Sequence, residues 1–145
     1  MSKTISIKVS IASNDKVSAL FILKTLINTG WNPMVNRLIN YLPEDDNDLY
    51  NWTNEKISID HMFEIIKKKE QKKESIGIDL YWKDSGVGVS LLITNSYELS
   101  FNLDINRRYI DENTHILDFN WYAMKIIPAL CELCHVTKYS FEYYY

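Results

Sequence analysis

Residues 76–105 of the chain, IGIDLYWKDSGVGVSLLITNSYELSFNLDI, carry the pattern that decides the fold. Apolar and polar residues alternate in three runs, at 76–82, 87–93 and 99–105. A period of two is typical of strands that bury one face. Short turn sequences separate the runs, KDSG at 83–86 and NS at 95–96. The stretch therefore predicts an antiparallel meander of three strands, with one dry face and one mostly wet face.

The sequence on both sides of the meander predicts three helices. Ser, Asn and Asp side chains accept hydrogen bonds from the free N–H groups at a helix start, so they mark where helices begin. Such residues precede three stretches with apolar residues at helical spacing, and each stretch predicts one helix. The helices run from Ser13, Asn14 or Asp15 to Thr29 before Gly30, from Ser58 or Asp60 to about Glu74, and from Asp118 to about Leu133 with a bend at Pro128.

Runs at 4–11 and about 136–144 predict two further strands. The segment 31–43 fits either a helix that starts at Asn32-Pro33 or a short strand at 38–42 that Pro43 ends, and we favour the strand. The resulting approximate order is β-α-β-α-β-β-β-α-β. It predicts one α+β domain over residues 1–145, in which helices pack on one face of a mainly antiparallel sheet.

Composition and charge narrow the classes of function. The chain has 145 residues, of which 46% are hydrophobic and 24% charged, as in an ordinary globular domain. Its first residues lack the apolar run of a signal peptide, and no stretch approaches the ~18 apolar residues of a membrane span. We therefore expect a soluble cytoplasmic protein with reduced cysteines. The net charge of −3 argues against direct binding of nucleic acid.

The sharpest chemical motif is Cys131-Glu132-Leu133-Cys134-His135. C-x-x-C-H is the attachment pattern of c-type haem, and C-x-x-C also occurs in redox sites and in halves of zinc sites. Here the motif lies near the end of an apolar helix in a chain without an export signal. We interpret both cysteines as reduced, at least partly buried structural thiols, and expect no metal, haem or other cofactor.

The remaining polar residues give no catalytic motif. The sequence has no G-x-S-x-G elbow and no P-loop. His61 and His115 fit exposed or hydrogen-bonded structural roles. Asp45 and Asp46 are adjacent, so they point apart on an extended chain and make a poor acid–base pair. We therefore expect a protein with no catalytic residues.

Acidic residues cluster in the segment 44–60, which holds six acids against Lys56, a net charge of −5. Tyr50 and Trp52 lie within this segment, and exposed aromatic residues beside clustered charges suit a contact surface. The alternative is a loop whose charges are merely solvated. We interpret the lysine-rich helix at 61–74, with a net charge of +2, as a solvated face.

Three parts of the sequence together resemble the small immunity proteins of bacterial contact-dependent growth inhibition and related polymorphic toxin systems. They are NYLP at 40–43 leading through Asp45-Asp46 to YNW at 50–52, GIDLYW at 77–82 followed by DSG at 84–86, and NRR at 106–108 followed by DFNWY at 118–122. The resemblance covers about residues 30–130. It implies a cytoplasmic protein that binds and blocks the toxic C-terminal domain of a delivered effector, often a nuclease.

A basic toxin surface would meet acidic residues of the immunity protein, and complementary charge would speed their association. The expected toxin-binding residues are Glu44, Asp45, Asp46, Asp48, Tyr50, Trp52, Asp111 and Glu112. The terminal Tyr143-Tyr144-Tyr145 is the next candidate surface. Two other classes stay open, a small-molecule-sensing or regulatory domain and a small enzyme built on His61, His115 or Cys131. A cavity with convergent polar groups would favour either of these.

Overall fold

The computed structural model describes residues 4–12, 17–94 and 98–144 of the chain. Three sequence-based predictions fall partly outside these ranges, namely the helix start at 13–15, the turn at 95–96 and the role of Tyr145. Within the described ranges the chain forms eleven strands and three helices. They are β1 (Thr4–Ile11), α1 (Ala19–Thr29), β2 (Trp31–Asn32), β3 (Met34–Val35), β4 (Leu38–Tyr41), β5 (Thr53–Glu55), α2 (Ile59–Gln71), β6 (Ile76–Trp82), β7 (Gly88–Ile93), β8 (Glu98–Ile105), β9 (Tyr109–Asp111), β10 (Ile116–Leu117), α3 (Phe119–Leu133) and β11 (Val136–Tyr144).

Nine of the described strands form one sheet, in the order β11-β1-β8-β7-β6-β4-β3, with β2 beside β6 and β5 beside β4. β9 and β10 form a separate hairpin. Every described strand pair is antiparallel. The prediction of an α+β fold with a mainly antiparallel sheet is therefore confirmed. The short strands β2, β3, β5, β9 and β10 were not predicted, because two or three residues are too few for a period to show.

The predicted meander is β6-β7-β8, and its register explains the core. Ile78 lies opposite Leu91, which lies opposite Phe101, so the three side chains share one face and all are buried. β1 continues this face, because Ile7 lies opposite both Phe101 and Phe141. Apolar residues of all three helices belong to the same buried cluster, so the helices cover this face of the sheet.

The opposite face of the sheet is polar. Ser6 lies opposite Asn102, which lies opposite Ser90, and Ser90 lies opposite Asp79. These side chains alternate with the buried apolar residues along each strand, as the predicted dry and wet faces require. We call this side of the sheet the polar face.

The helix boundaries confirm most of the predicted starts and correct one. Ser58 and Asp118 cap α2 and α3, and their side chains accept hydrogen bonds from the N–H groups of His61 and Trp121. The first helix begins later than predicted, at Ala19, and Ser18 is its cap. None of the described helices combines the length and hydropathy that a membrane-spanning helix needs.

Candidate functional site

The segment that joins β4 to β5, residues 42–52, contains six of the eight candidate toxin-binding residues. We call it the acidic loop. The Leu42 N–H donates to the carbonyl of Gly77, so the loop leaves the sheet at the first residues of β6. Four of its residues adopt the left-handed backbone region, namely Asp45, Asn47, Asp48 and Tyr50. Asparagine and aspartate tolerate this region, but a tyrosine resists it, so the loop needs outside support to hold Tyr50 in this conformation.

Asp46 supplies part of that support from beneath the loop. Its side chain is only 7% exposed, and its two carboxylate oxygens accept hydrogen bonds from the N–H groups of Tyr50 at 2.7 Å and Asn51 at 3.0 Å. A carboxylate that accepts two backbone hydrogen bonds fixes the backbone between them. The carboxylate of Asp46, one of the expected toxin-binding groups, therefore lies inside the loop and binds its backbone.

Lys69 of α2 holds the start of the loop. Its side chain is 1% exposed, and Nζ donates to the carbonyls of Leu42 at 3.0 Å and Pro43 at 2.8 Å. Burial lowers the pKa of this ammonium, and the carboxylates of Glu74 and the loop acids oppose the shift. The interpretation of the lysine-rich helix as a solvated face is therefore wrong for this residue. Helical spacing puts Lys69 on the same side of α2 as Ile65 and Ile66, whereas the exposed Lys67 and Lys68 lie on the other side.

Lys72, the residue that caps the end of α2, binds two more acids of the loop. Nζ of Lys72 pairs with the Glu44 carboxylate and, at 3.0 Å, with that of Asp45. These hydrogen bonds raise the pKa of the Lys72 ammonium. Exposed ion pairs of this kind stabilise a fold only slightly. The Lys72 ammonium does offset the charges of Glu44 and Asp45. The negative potential at the loop is therefore weaker than its number of acidic residues suggests.

The outer side of the loop is largely apolar and aromatic. Leu49 is 69% exposed, Tyr50 47% and Trp52 38%, and Asp48 is the exposed acid among them. The Trp52 ring lies over Gly77, where an added Cβ would come within 2.8 Å of the ring. Close packing on the polar face thus fixes one edge of the ring and leaves the other edge to solvent. This group of four residues is the contact ridge of the loop.

Asp111 and Glu112 do not join this group. They lie on and after β9, in the hairpin that follows β8. Because β6 and β8 are both antiparallel to β7, they run in the same direction, and the hairpin lies at the far end of the sheet from the loop. The length of β6 puts the two regions roughly 20 Å apart. One contiguous contact cannot centre on both.

The hairpin end of the sheet instead carries an aromatic and cationic cluster. Trp31, Trp82 and Trp121 pack edge to face, with ring centroids 5.3 to 6.4 Å apart. Nζ of Lys125 lies 4.9 Å from the centroid of the Trp82 ring, and the Arg108 guanidinium lies 5.2 Å from that of Trp121. Packed rings with cations on their faces stabilise this end of the fold.

Asp79 is a buried carboxyl that the sequence did not single out. It lies on the polar face, accepts hydrogen bonds from Asn40 Nδ2 at 2.7 Å and Ser90 Oγ at 2.6 Å, and is 6% exposed. Burial raises the pKa of this carboxyl, while the two hydrogen bonds act in the opposite direction. With both oxygens occupied by neutral donors, the group is well placed to hold β4, β6 and β7 together.

A cavity of about 370 Å³ lies at the same end of the sheet as the acidic loop. Apolar residues from the sheet and α1 line it, together with Glu70, Lys73, Glu74 and Thr94. The Glu70 carboxylate accepts the N–H of Ala19 at 2.7 Å. Oε2 of Glu74 is buried and accepts no hydrogen bond from the described residues. The volume is at the lower end of the range for small-molecule sites.

The cysteine and histidine residues are placed as follows. Cys131 is exposed, so the expectation that it is partly buried is wrong, whereas Cys134 is partly buried and its Sγ donates to the Leu130 carbonyl at 3.3 Å. His61 and His115 are both exposed, and the His115 ring stacks on Tyr109. No three His, Cys, Asp or Glu side chains of the described ranges converge on a point that could hold a metal ion.

The protein is thus an α+β domain with exposed aromatic residues on a braced acidic loop. Comparisons with protein-family models, with curated proteins and with solved structures gave no match.

Proposed function

We propose that this protein is a cytoplasmic immunity protein, which binds a basic toxin domain through the acidic loop and blocks it without a chemical step. The observation that supports this most is the contact ridge, where Leu49, Tyr50 and Trp52 are exposed on a loop that Asp46 and Lys69 brace from inside. Exposed aromatic residues in a fixed position are the usual anchors of protein interfaces.

Bracing matters because binding has to overcome the entropy of ordering the contact residues. A loop with four left-handed residues would lose much of its affinity if it had to find this shape on binding. Here the side chains of Asp46, Lys69 and Lys72 already hold the shape in the free protein. The contact energy of the ridge is therefore available for the complex.

The charges support a basic partner. Asp48 stands within the ridge, and Glu44 and Asp45 lie beside it, paired with the solvent-exposed Lys72. A basic partner can compete for these two carboxylates, since exposed ion pairs are weak. Long-range attraction would speed encounter, and the apolar ridge would set the lifetime of the complex.

The test measures binding kinetics against the toxin domain encoded by the neighbouring reading frame. Trp52→Ala should speed dissociation and weaken binding by about 2 kcal/mol, as loss of an interface anchor does. Asp48→Lys should mainly slow association and reduce its salt dependence. Asp48 suits this test better than Asp46, because reversal of the buried Asp46 charge would disrupt the loop itself.

Met124→Ala is the matched control, since Met124 is a large exposed apolar residue on α3, away from the loop. It should leave both rates unchanged. Unchanged rates for Trp52→Ala and Asp48→Lys as well, with protection of cells retained, would remove the acidic loop from the contact.

The cavity favours a second candidate function, a small-molecule-binding domain. Its apolar walls and the carboxylates of Glu70 and Glu74 suit a small apolar amine. Val17→Trp would place a large ring at the wall of the cavity. Nuclear magnetic resonance titration with fragment amines should then show shifts at Ile22 and Leu99 in the original protein and none in the variant. Saturable fragment binding with no affinity for the toxin domain would favour this candidate.

A further inference from the structure

The two edges of the large sheet differ in a way that points to self-association. One edge is formed by β11, which has nine residues and no proline or glycine, and which pairs with β1 on one side only among the described strands. The other edge ends in β3 and β5, which have two and three residues. Proteins commonly keep exposed edge strands short, because a long edge offers a template to another strand. Only the second edge follows that rule.

The side chains of β11 also favour association through this edge of the sheet. Tyr139, Phe141 and Tyr144 are all among the exposed large hydrophobic residues. Phe141 packs against Phe119 of α3 at a centroid distance of 4.7 Å and keeps part of its ring in solvent. The charged residues of the strand are Lys138 and Glu142, and both lie on the polar face, as the pairing with Ser10 and Ser6 shows. Tyr139 and Phe141 lie on the face that the helices cover, whereas Tyr144 lies on the polar face with the two charged residues.

We propose that β11 pairs with β11 of a second copy of this chain, antiparallel, about a two-fold axis at Ser140. An axis perpendicular to the sheet keeps the polar faces of both copies on one side. Since side chains alternate with a period of two, residues that meet must then be an even number of positions apart. Registers centred on a residue satisfy this condition, and the one centred on Ser140 is self-complementary.

In that register Lys138 lies opposite Glu142 of the second copy, and Glu142 lies opposite its Lys138. Tyr139 likewise lies opposite Phe141, twice, on the face that the helices cover. Opposite charges and aromatic pairs directly across an antiparallel ladder both stabilise it. A shift by two residues would place Lys138 opposite Ser140 or Tyr144 and would lose both ion pairs. The positions of Lys138, Tyr139, Phe141 and Glu142 therefore favour a second copy of the chain as the partner, and they favour this register over the neighbouring ones.

Glu142 is already positioned for this role within one chain. Its Oε2 lies 3.7 Å from Nζ of Lys8, and its Oε1 accepts a hydrogen bond from the Tyr144 hydroxyl at 2.8 Å. These contacts hold the carboxylate at the edge of the sheet. In the dimer it would lie between two cations, Lys8 of its own chain and Lys138 of the second copy.

The experiment uses sedimentation velocity and native mass spectrometry on the full chain, with a dimer expected at twice the 17.1 kDa of one chain. Lys138→Glu creates two Glu–Glu pairs across the interface, and Glu142→Lys creates two Lys–Lys pairs. Each variant should dimerise roughly tenfold to a hundredfold more weakly, because two cross-strand pairs change from opposite to like charge. An equimolar mixture of the two variants should recover a heterodimer, since every pair then joins opposite charges.

Recovery on mixing separates pairing from a change in folding, which mixing could not repair. Lys56→Glu makes the same change of charge at an exposed site far along the chain and should leave the dimer intact. A single-chain mass at every concentration up to the solubility limit would overturn the proposal. So would a dimer that tolerates both charge reversals, or variants that stay monomeric when mixed.

Discussion

The bracing of the acidic loop by Asp46 gives the most direct test of the site. In Asp46→Ala the N–H groups of Tyr50 and Asn51 lose a charged acceptor. Hydrogen bonds to charged groups contribute about 1.5–3 kcal/mol each. Water can reach part of the loop, so we take the lower value for both, which gives about 3 kcal/mol for local opening of the loop. The rest of the fold can remain intact when the loop opens, so the free energy of global unfolding should fall by less.

Hydrogen exchange measured by nuclear magnetic resonance reads this effect at the two amides concerned. A loss of about 3 kcal/mol corresponds to roughly a hundredfold faster exchange at Tyr50 and Asn51. Asp46→Asn keeps one acceptor oxygen, so its exchange rates at these amides should lie between those of the original protein and those of Asp46→Ala. Asp48→Asn is the control, because Asp48 is an aspartate of the same loop with an exposed side chain. Unchanged exchange in Asp46→Ala, or an equal increase in Asp48→Asn, would refute the reasoning.

Three further predictions concern the framework. Lys69→Ala should destabilise the fold by about 2–4 kcal/mol, because it leaves the buried carbonyl of Leu42 and the partly buried carbonyl of Pro43 without this donor, whereas Lys68→Ala should change stability by less than ~0.5 kcal/mol in urea denaturation. Leu91→Ala should cost about 2–5 kcal/mol as a large-to-small core change, and the exposed Leu49→Ala should cost little in the same assay. Burial raises the pKa of Asp79 above its usual 3.8, so its contribution to stability is fully present below that pH and is lost as the pH rises through the folded pKa. Asp79→Asn should remove this loss and raise the melting temperature at pH 7, and a melting temperature that falls there instead would show that the ionised form is the stabilised one.

The parts of the fold that the sequence predicts are those with a repeating signal. Alternation located β1, the meander and its buried face, and the serine and aspartate before α2 and α3 located their starts. The start of α1 was placed too early, because three polar residues precede Ser18 and each is an equally good cap by composition. β5 was hidden in the polar segment, since its three residues depend on pairing with β4 rather than on their own pattern.

The sequence predicts an acidic loop but not the structural roles of its charges. Six acids in a row of polar residues look alike in the sequence, yet Asp46 faces inward and Asp48 outward. That difference follows from backbone angles within the loop, which a list of residues does not specify. The buried Lys69 was missed as well. Lys69 was interpreted with the other lysines as part of a solvated face, although helical spacing places it within the apolar stripe of Met62, Ile65 and Ile66.

The place of β1 between β8 and β11 has a consequence for biosynthesis. β1, at residues 4–11, pairs with residues 98–102 and 136–144, so both of its neighbours are synthesised long after it. Contacts between residues so distant in sequence slow folding, because a large loop must close before any of them forms. The apolar residues Ile5, Ile7 and Val9 of β1 therefore lack their neighbours in the sheet until those strands have been synthesised. The nine-stranded sheet can be completed only after β11 has been synthesised, so β1 and β11 come together late in biosynthesis.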